Sequence, residues 1–199
     1  MKRLSLYLFL ILFTLQAPSL ADDIRDFQIE GVSLYDSLLT HFTEQEIKNN
    51  KRDVRWTDNI FSKIEFHRLS SFKTYDIVQF FYKTNDDQFK IYGIYGIIDI
   101  NDFNKCIKQM NIIKTELREL FENQDILRED NIVKEKLYYD KSGKSIYSQY
   151  TIDFKSGHGG QVACEDISEE LIKEIPGYRD LLRVGIESKE FIKYLYSQN

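Results

Sequence analysis

"KIYGIYGIIDINDFNKCIKQMNIIKTELRELFEN", residues 90–123, decides the fold class. Its first eleven residues are β-branched and aromatic, the strongest strand signal in the chain. Gly93 and Gly96 within it mark a bulge or a close backbone approach. Asn101 or Asp102 then caps a helix over about 102–123. Phe103, Cys106, Ile107, Met110, Ile113, Leu117, Leu120 and Phe121 recur at three- and four-residue steps, giving that helix a broad apolar face. A strand that runs directly into such a helix predicts a sheet with the helix laid over one side.

Working upstream, "SKIEFHRL" (62–69) and "TYDIVQFFYK" (74–83) are strand-like, and "TNDDQ" (84–88) is a turn cluster, so residues 62–100 read as an antiparallel meander. Residues 51–58 read as polar connection. Downstream, "IVKEKLYYD" (132–140) and "SIYSQYTIDF" (145–154) flank a turn at Gly143. "QVACED" (161–166) and "DLLRVGIE" (180–187) follow as further strands. Short helices are expected at 168–174, ended by Pro176-Gly177, and from Ser188 to Tyr196. The predicted fold is α+β: a mostly antiparallel sheet of about six strands covered by one long amphipathic helix, with short N-terminal and C-terminal helices.

The first 21 residues, "MKRLSLYLFLILFTLQAPSLA", have a basic start, an apolar run from Leu4 to Leu15 and small residues at Ser19 and Ala21. This is the pattern of a cleaved signal peptide. The run is too short for a membrane span, which needs about 20 apolar residues. Cleavage leaves residues 22–199, expected to be a single α+β domain that is periplasmic or secreted. Losing Lys2 and Arg3 leaves 25 basic residues against 32 acidic ones, a formal charge of −7. A nucleic-acid binder presents a net basic face, so that class is excluded. No membrane span is expected after cleavage.

Cys106 and Cys164 are the two cysteines. In an exported chain an isolated pair reads as one disulfide. It closes a loop long enough to contribute about 4 kcal/mol through loop entropy.

Chemistry-bearing residues are sparse. In "DFQIEGVSLYDSLLTHFTEQEI" (26–47), Ser33 with Asp36 three residues on, ahead of Leu34, Leu38 and Phe42, has the form of a helix cap. Thr43 with Glu46 repeats it. A nucleophile elbow needs G-x-S-x-G, and Tyr35 stands where the second glycine belongs. "SGKS" (142–145) lacks the upstream glycine of a phosphate loop, Tyr138 standing in its place, and lies between strands. His158, inside "KSGHGG" (155–160), is the best single candidate for an active site, in a loop whose glycines supply positive φ. A serine hydrolase assembled from Ser33, His158 and Asp36 or Asp153 has the residue types, although chance supplies those in any chain rich in serine and acid. His41, His67 and His158 make no metal-ligand spacing. The acids of "DINDFNK" (99–105) and "EDISEE" (165–170) sit where helix starts favour negative charge. No metal or cofactor is expected.

Three blocks, "DDIRDFQIEGVSLYDSLLTHFTEQEIKNN", "SSFKTYDIVQF" and "YYDKSGKSIYS", resemble a functionally uncharacterised family of small exported proteins from abundant marine bacteria. The likeness covers essentially the whole chain after the signal, the first block being its most specific part. Glycine often takes position 35 in that family, giving a "GDSLL" that mimics the serine motif of a lipase/esterase family. This chain has Tyr35 there. The resemblance implies export and a shared α+β domain, and brings no catalytic residues.

Two functions stay open. One is a non-catalytic exported module that binds a protein or a small-molecule ligand. The other is a small periplasmic serine-type hydrolase using His158, with Ser33 the candidate nucleophile.

Overall fold

The computed structural model describes residue 24 and residues 27–54, 58–175 and 177–198; the expected signal peptide lies outside them. Eight strands form one antiparallel sheet: β1 Lys51–Arg52, β2 Phe61–His67, β3 Ile77–Lys83, β4 Ile91–Asp99, β5 Ile126–Lys136, β6 Ile146–Phe154, β7 Gly159–Asp166 and β8 Leu181–Glu187. Their spatial order is β1-β2-β3-β4-β8-β7-β6-β5. Two four-stranded meanders therefore meet along β4 and β8, where Tyr95 stands opposite Gly185. Each meander is followed by a helix: α2 (Phe103–Leu120) after the first, α4 (Lys189–Ser197) after the second.

Those two helices lie on opposite faces. α2, capped by Asp102, buries Cys106, Met110, Ile113 and Leu117. It lies over β7 and β8 and is bonded to β7 through the Cys106–Cys164 disulfide, whose Cα atoms are 5.8 Å apart. α4, capped by Ser188, packs Phe191 on the other face against Phe61, Phe81 and the open backbone of Gly93. Gly96 is likewise closely approached, by the ring of Tyr75. No helix among the described residues is long and apolar enough to cross a membrane.

The expectation of about six strands under one long helix is corrected. β1 hides in residues with no strand pattern. β5 begins six residues earlier than its apolar signal, because it is an edge strand exposed along nearly its whole length and carries no alternation to read. α2 covers only part of its face. The remainder is filled by residues 27–49, whose Phe27, Ile29, Val32, Leu34, Leu38 and Ile47 are all buried, with Phe42 stacked on Phe66 at 4.1 Å.

Ser33 caps no helix. Its amide donates to Asp36 Oδ2 at 3.0 Å, the reciprocal half of a capping box, but Tyr35 takes a left-handed φ of 68° and the chain turns away. Residues 35–38 instead pair beside the start of β4, Tyr35 N–H donating to Ile91 O at 2.8 Å and Ile91 N–H to Asp36 O at 3.0 Å. Ser37 caps a single 3-10 turn, Leu38–Thr40. The apolar spacing is thus realised as a turn, since burial of Leu34 and Leu38 needs one face and not an α-helix. Thr43 and Glu46 do form a capping box, at the start of α1 (Glu44–Asn49).

Residues 137–145, between β5 and β6, are organised by buried Asp140. It accepts the amides of Ser142 and Ser145 at 2.9 and 2.8 Å, and the hydroxyls of Ser142, Ser145 and Ser168 at 2.8, 2.6 and 3.0 Å. These bonds, that from the Ser145 hydroxyl foremost, hold the carboxyl well below the usual carboxylate range. Ser168 also caps α3 (Glu169–Glu174), so one aspartate joins the β5–β6 turn to that helix.

Candidate functional site

The β6–β7 turn brings His158 to a defined place. Phe154 N–H donates to His158 O at 2.9 Å and Gly157 N–H to Phe154 O at 2.8 Å, leaving Lys155, Ser156 and Gly157 as a three-residue loop. Gly157 supplies the left-handed φ (88°) that such loops require at their last position. A β-carbon there would also lie 2.9 Å from Lys189 Cβ, so the same glycine lets the first turn of α4 settle against the loop.

Three elements then converge. Tyr35, from the N-terminal turn, places its hydroxyl 2.9 Å from His158 Nε2 and donates to Glu190 Oε2, also at 2.9 Å. Ser156 Oγ lies 3.2 Å from His158 Nδ1. Because the phenol proton goes to Glu190, the phenol oxygen accepts from Nε2–H. In the neutral ring Nδ1 is then the acceptor for the Ser156 hydroxyl. The result is an ordered chain: serine, imidazole, phenol, carboxylate. The Tyr35 ring meets the Tyr92 and His158 rings edge-on, and Lys90 Nζ sits 5.0 Å from its centroid.

Burial, and then the bond to Glu190, push the Tyr35 hydroxyl well above its ordinary value. Burial works to raise Glu190, but its backbone and Tyr35 hydrogen bonds outweigh that and hold it below the usual carboxylate value. Glu190 is therefore the ionised end of the chain. A non-glycine residue at φ of 68° costs on the order of 1 kcal/mol, and such outliers persist where surrounding contacts over-determine them. Tyr35 is that case.

The sequence candidates are separated. His158 belongs to the cluster. Ser33 is buried, its amide on Asp36, and Asp36 Oδ2 lies 3.8 Å from His41. Asp153 is engaged by Arg128 at 2.9 Å and by Tyr196. His67 pairs with Glu65 at 2.7 Å on the surface. The partners His158 acquires, Tyr35 and Ser156, and Glu190 beyond Tyr35, were not legible as a set. Only the glycines flanking His158 and the Ser188 cap before Glu190 pointed toward their positions.

Among the bonds described, the imidazole reaches the Glu190 carboxylate through the Tyr35 phenol, whereas in a serine–histidine–acid relay it bonds a carboxylate directly. Two surface depressions, of about 350 and 290 Å³, lie along Lys114–Glu122 at the C-terminal end of α2 and between α1 and the β3–β4 turn; Ser156, His158, Tyr35 and Glu190 line neither. Among the described residues no group of three or more His, Cys, Asp or Glu side chains could hold a metal ion. The geometry does tie α4, the N-terminal turn and the β6–β7 loop together. Replacing Tyr35 by phenylalanine is expected to lower stability by about 1–2 kcal/mol. Hydrogen exchange would show the loss concentrated in the first turn of α4; protection unchanged there would remove the cluster's role as a tie.

A second polar layer lies on the α4 face of the central strands. Buried Glu187 accepts from Tyr95 Oη and, at 2.6 Å, from Gln161 Nε2. Burial pushes Glu187 up from its ordinary value. Arg183 Nη2 meets Glu165 Oε1 at 2.8 Å, while its buried Nε has no hydrogen-bond partner among the described residues.

Compared with protein-family models, with curated proteins and with solved structures, the chain matches none of them.

Proposed function

We propose that this protein is a non-catalytic exported interaction module that captures an extended segment of a partner polypeptide along β5. One observation carries the reading. β5 is an eleven-residue edge strand on which every residue but Ile132 is exposed, while the opposite edge, β1, is two residues long. An unpaired edge of that length is a template for strand addition, in which main-chain bonds give affinity and alternate side chains give selectivity. Leu127 and Val133, each 67% exposed, offer apolar contacts on it. Six charged residues and register shifts near both ends discourage indiscriminate pairing and leave Arg128–Ile132 as the regular run. The expectation of export rests on the N-terminal pattern.

The test is site-specific photo-crosslinking in the exported compartment, with p-benzoylphenylalanine replacing Val133 and, as control, Lys51 on β1. The expected result is a discrete adduct from position 133 that maps to alternate residues of one partner segment and disappears on adding Leu127→Lys. Equal labelling from both edges, or an adduct indifferent to Leu127→Lys, would sink the reading. Purified protein should also hydrolyse p-nitrophenyl esters no faster than a Ser156→Ala variant does. Turnover lost in that variant would favour the hydrolase instead.

A further inference from the structure

Glu30 and Gly31 form the two-residue tip of a minimal hairpin. Ile29 and Val32 exchange both backbone hydrogen bonds, at 3.0 and 3.1 Å, and φ is positive at both tip residues, 53° and 81°. This is the primed turn that a two-residue hairpin favours, with glycine natural at its second position and glutamate unusual at its first. Ile29 and Val32 are buried in the core, whereas Gly31 is exposed, with nothing within 4 Å of where a β-carbon would stand. The tip is firmly anchored, and it holds out one side chain.

That side chain has a specific destination. Glu30 Oε2 accepts the amide of Lys73 at 2.9 Å, and Oε1 accepts the amides of Thr74 and Tyr75 at 2.8 and 2.9 Å. Three consecutive main-chain N–H groups converging on both oxygens of a carboxylate make an anion-binding nest. Proteins use such nests to capture carboxylates of other chains. Recognition comes from backbone amides, so the loop is indifferent to which residue carries the carboxylate. Lys73 is exposed and both Thr74 and Glu30 are half-exposed, so solvent reaches the nest. Because Ile29 and Val32 anchor the turn independently, Glu30 can leave by rotation of its own side chain, without unfolding the hairpin.

We infer that residues 73–75 are a carboxylate-binding site, that Glu30 is its tethered occupant, and that a carboxylate of a partner chain replaces Glu30 there. Tethering makes Glu30 a competitor of high effective concentration, on the order of millimolar or more. The native protein should therefore take an external carboxylate at least about tenfold more weakly than a chain lacking the Glu30 carboxylate. The site is remote in sequence from β5, and the inference stands whether or not that edge captures a partner.

The experiment uses the full chain, native and as Glu30→Ala, and follows backbone amide resonances during titration with sodium acetate against sodium chloride at equal ionic strength. Expected are saturable shifts centred on Lys73, Thr74 and Tyr75 in Glu30→Ala, a rise in its melting temperature toward the native value, and at least tenfold weaker responses in the native chain. Shifts that fail to saturate, or equal responses in both proteins, would overturn the site. Should Glu30→Ala fold poorly, Glu30→Gln keeps the side-chain shape and is expected to show the same localisation at intermediate affinity. Two peptides then separate the sources. Trialanine with a free C-terminus binding more tightly than acetate identifies a chain end, and N-acetyl-glutamate-amide binding more tightly identifies an acidic side chain. Neither exceeding acetate overturns the partner's part in the inference.

Discussion

Alanine at Gly185 is expected to destabilise the protein by on the order of 4 kcal/mol, its β-carbon meeting a closer neighbour than one added at any other glycine. Gly185 lies in β8 opposite Tyr95 of β4, and a β-carbon there would fall 2.0 and 2.2 Å from two atoms of the Tyr95 ring. The ring has nowhere to go. It meets Phe81 edge-on at 5.2 Å, Arg183 lies 5.7 Å from its centroid, and its hydroxyl is bonded to Glu187 and Gln161. Overpacking of this kind costs about 1–3 kcal/mol. Displacing the ring also removes one of the two donors on buried Glu187, for about 1–3 kcal/mol more. Urea titration gives the number. Gly160→Ala is the control: its β-carbon would come no nearer than 3.4 Å to any neighbour, and it should cost under about 1 kcal/mol. A Gly185→Ala midpoint close to that of Gly160→Ala would show that the ring yields and that the clash is not what places glycine there.

Removing the disulfide is the second large effect. Cys106 and Cys164 are separated by 58 residues, and the loop they close contains β5, β6 and most of β7. Constraining a loop of that length in the unfolded chain is worth about 4 kcal/mol. The bond also holds the first turn of α2 on β7. Cys106→Ala with Cys164→Ala should therefore lower the melting temperature by about 10 °C in a chain of this size. Both sulfurs are buried, so dithiothreitol should act slowly under native conditions and readily in urea. A loss below about 1 kcal/mol would mean that β5–β7 already assemble as a unit in the unfolded ensemble, leaving little entropy for the cross-link to remove.

How much of this was legible varied with the physics involved. α2 could be read to within a few residues because one apolar face of a helix fixes a 3.6-residue rhythm, and Cys106, Met110, Ile113 and Leu117 keep it. β2, β3 and β4 were legible from β-branched and aromatic runs between turn residues. The β5 edge was not, because strand patterning reports burial and β5 buries almost nothing. Residues 33–38 misled for the converse reason. Leu34 and Leu38 have helical spacing and are buried, yet the backbone between them turns at Tyr35.

The site was the least legible part. His158 lies 123 residues from Tyr35, and Tyr35 lies 155 from Glu190. No local rule connects positions so far apart. Their meeting depends on residues 35–38 pairing beside β4, on the reversal after Phe154, and on α4 folding back over the sheet from the end of β8.

By itself the sequence determined which segments bury a face, where α1, α3 and α4 are capped, and that its two cysteines pair with each other. Those properties follow from side-chain periodicity and from neighbours within a few residues. Only the tertiary structure decided that β4 and β8 lie side by side, that α2 and α4 take opposite faces, and that Tyr35 reaches His158 while Glu30 reaches the amides of 73–75. Each of those depends on register between distant strands and on left-handed backbone at non-glycine residues, which are settled by the packing of the whole sheet and leave no local trace in the chain.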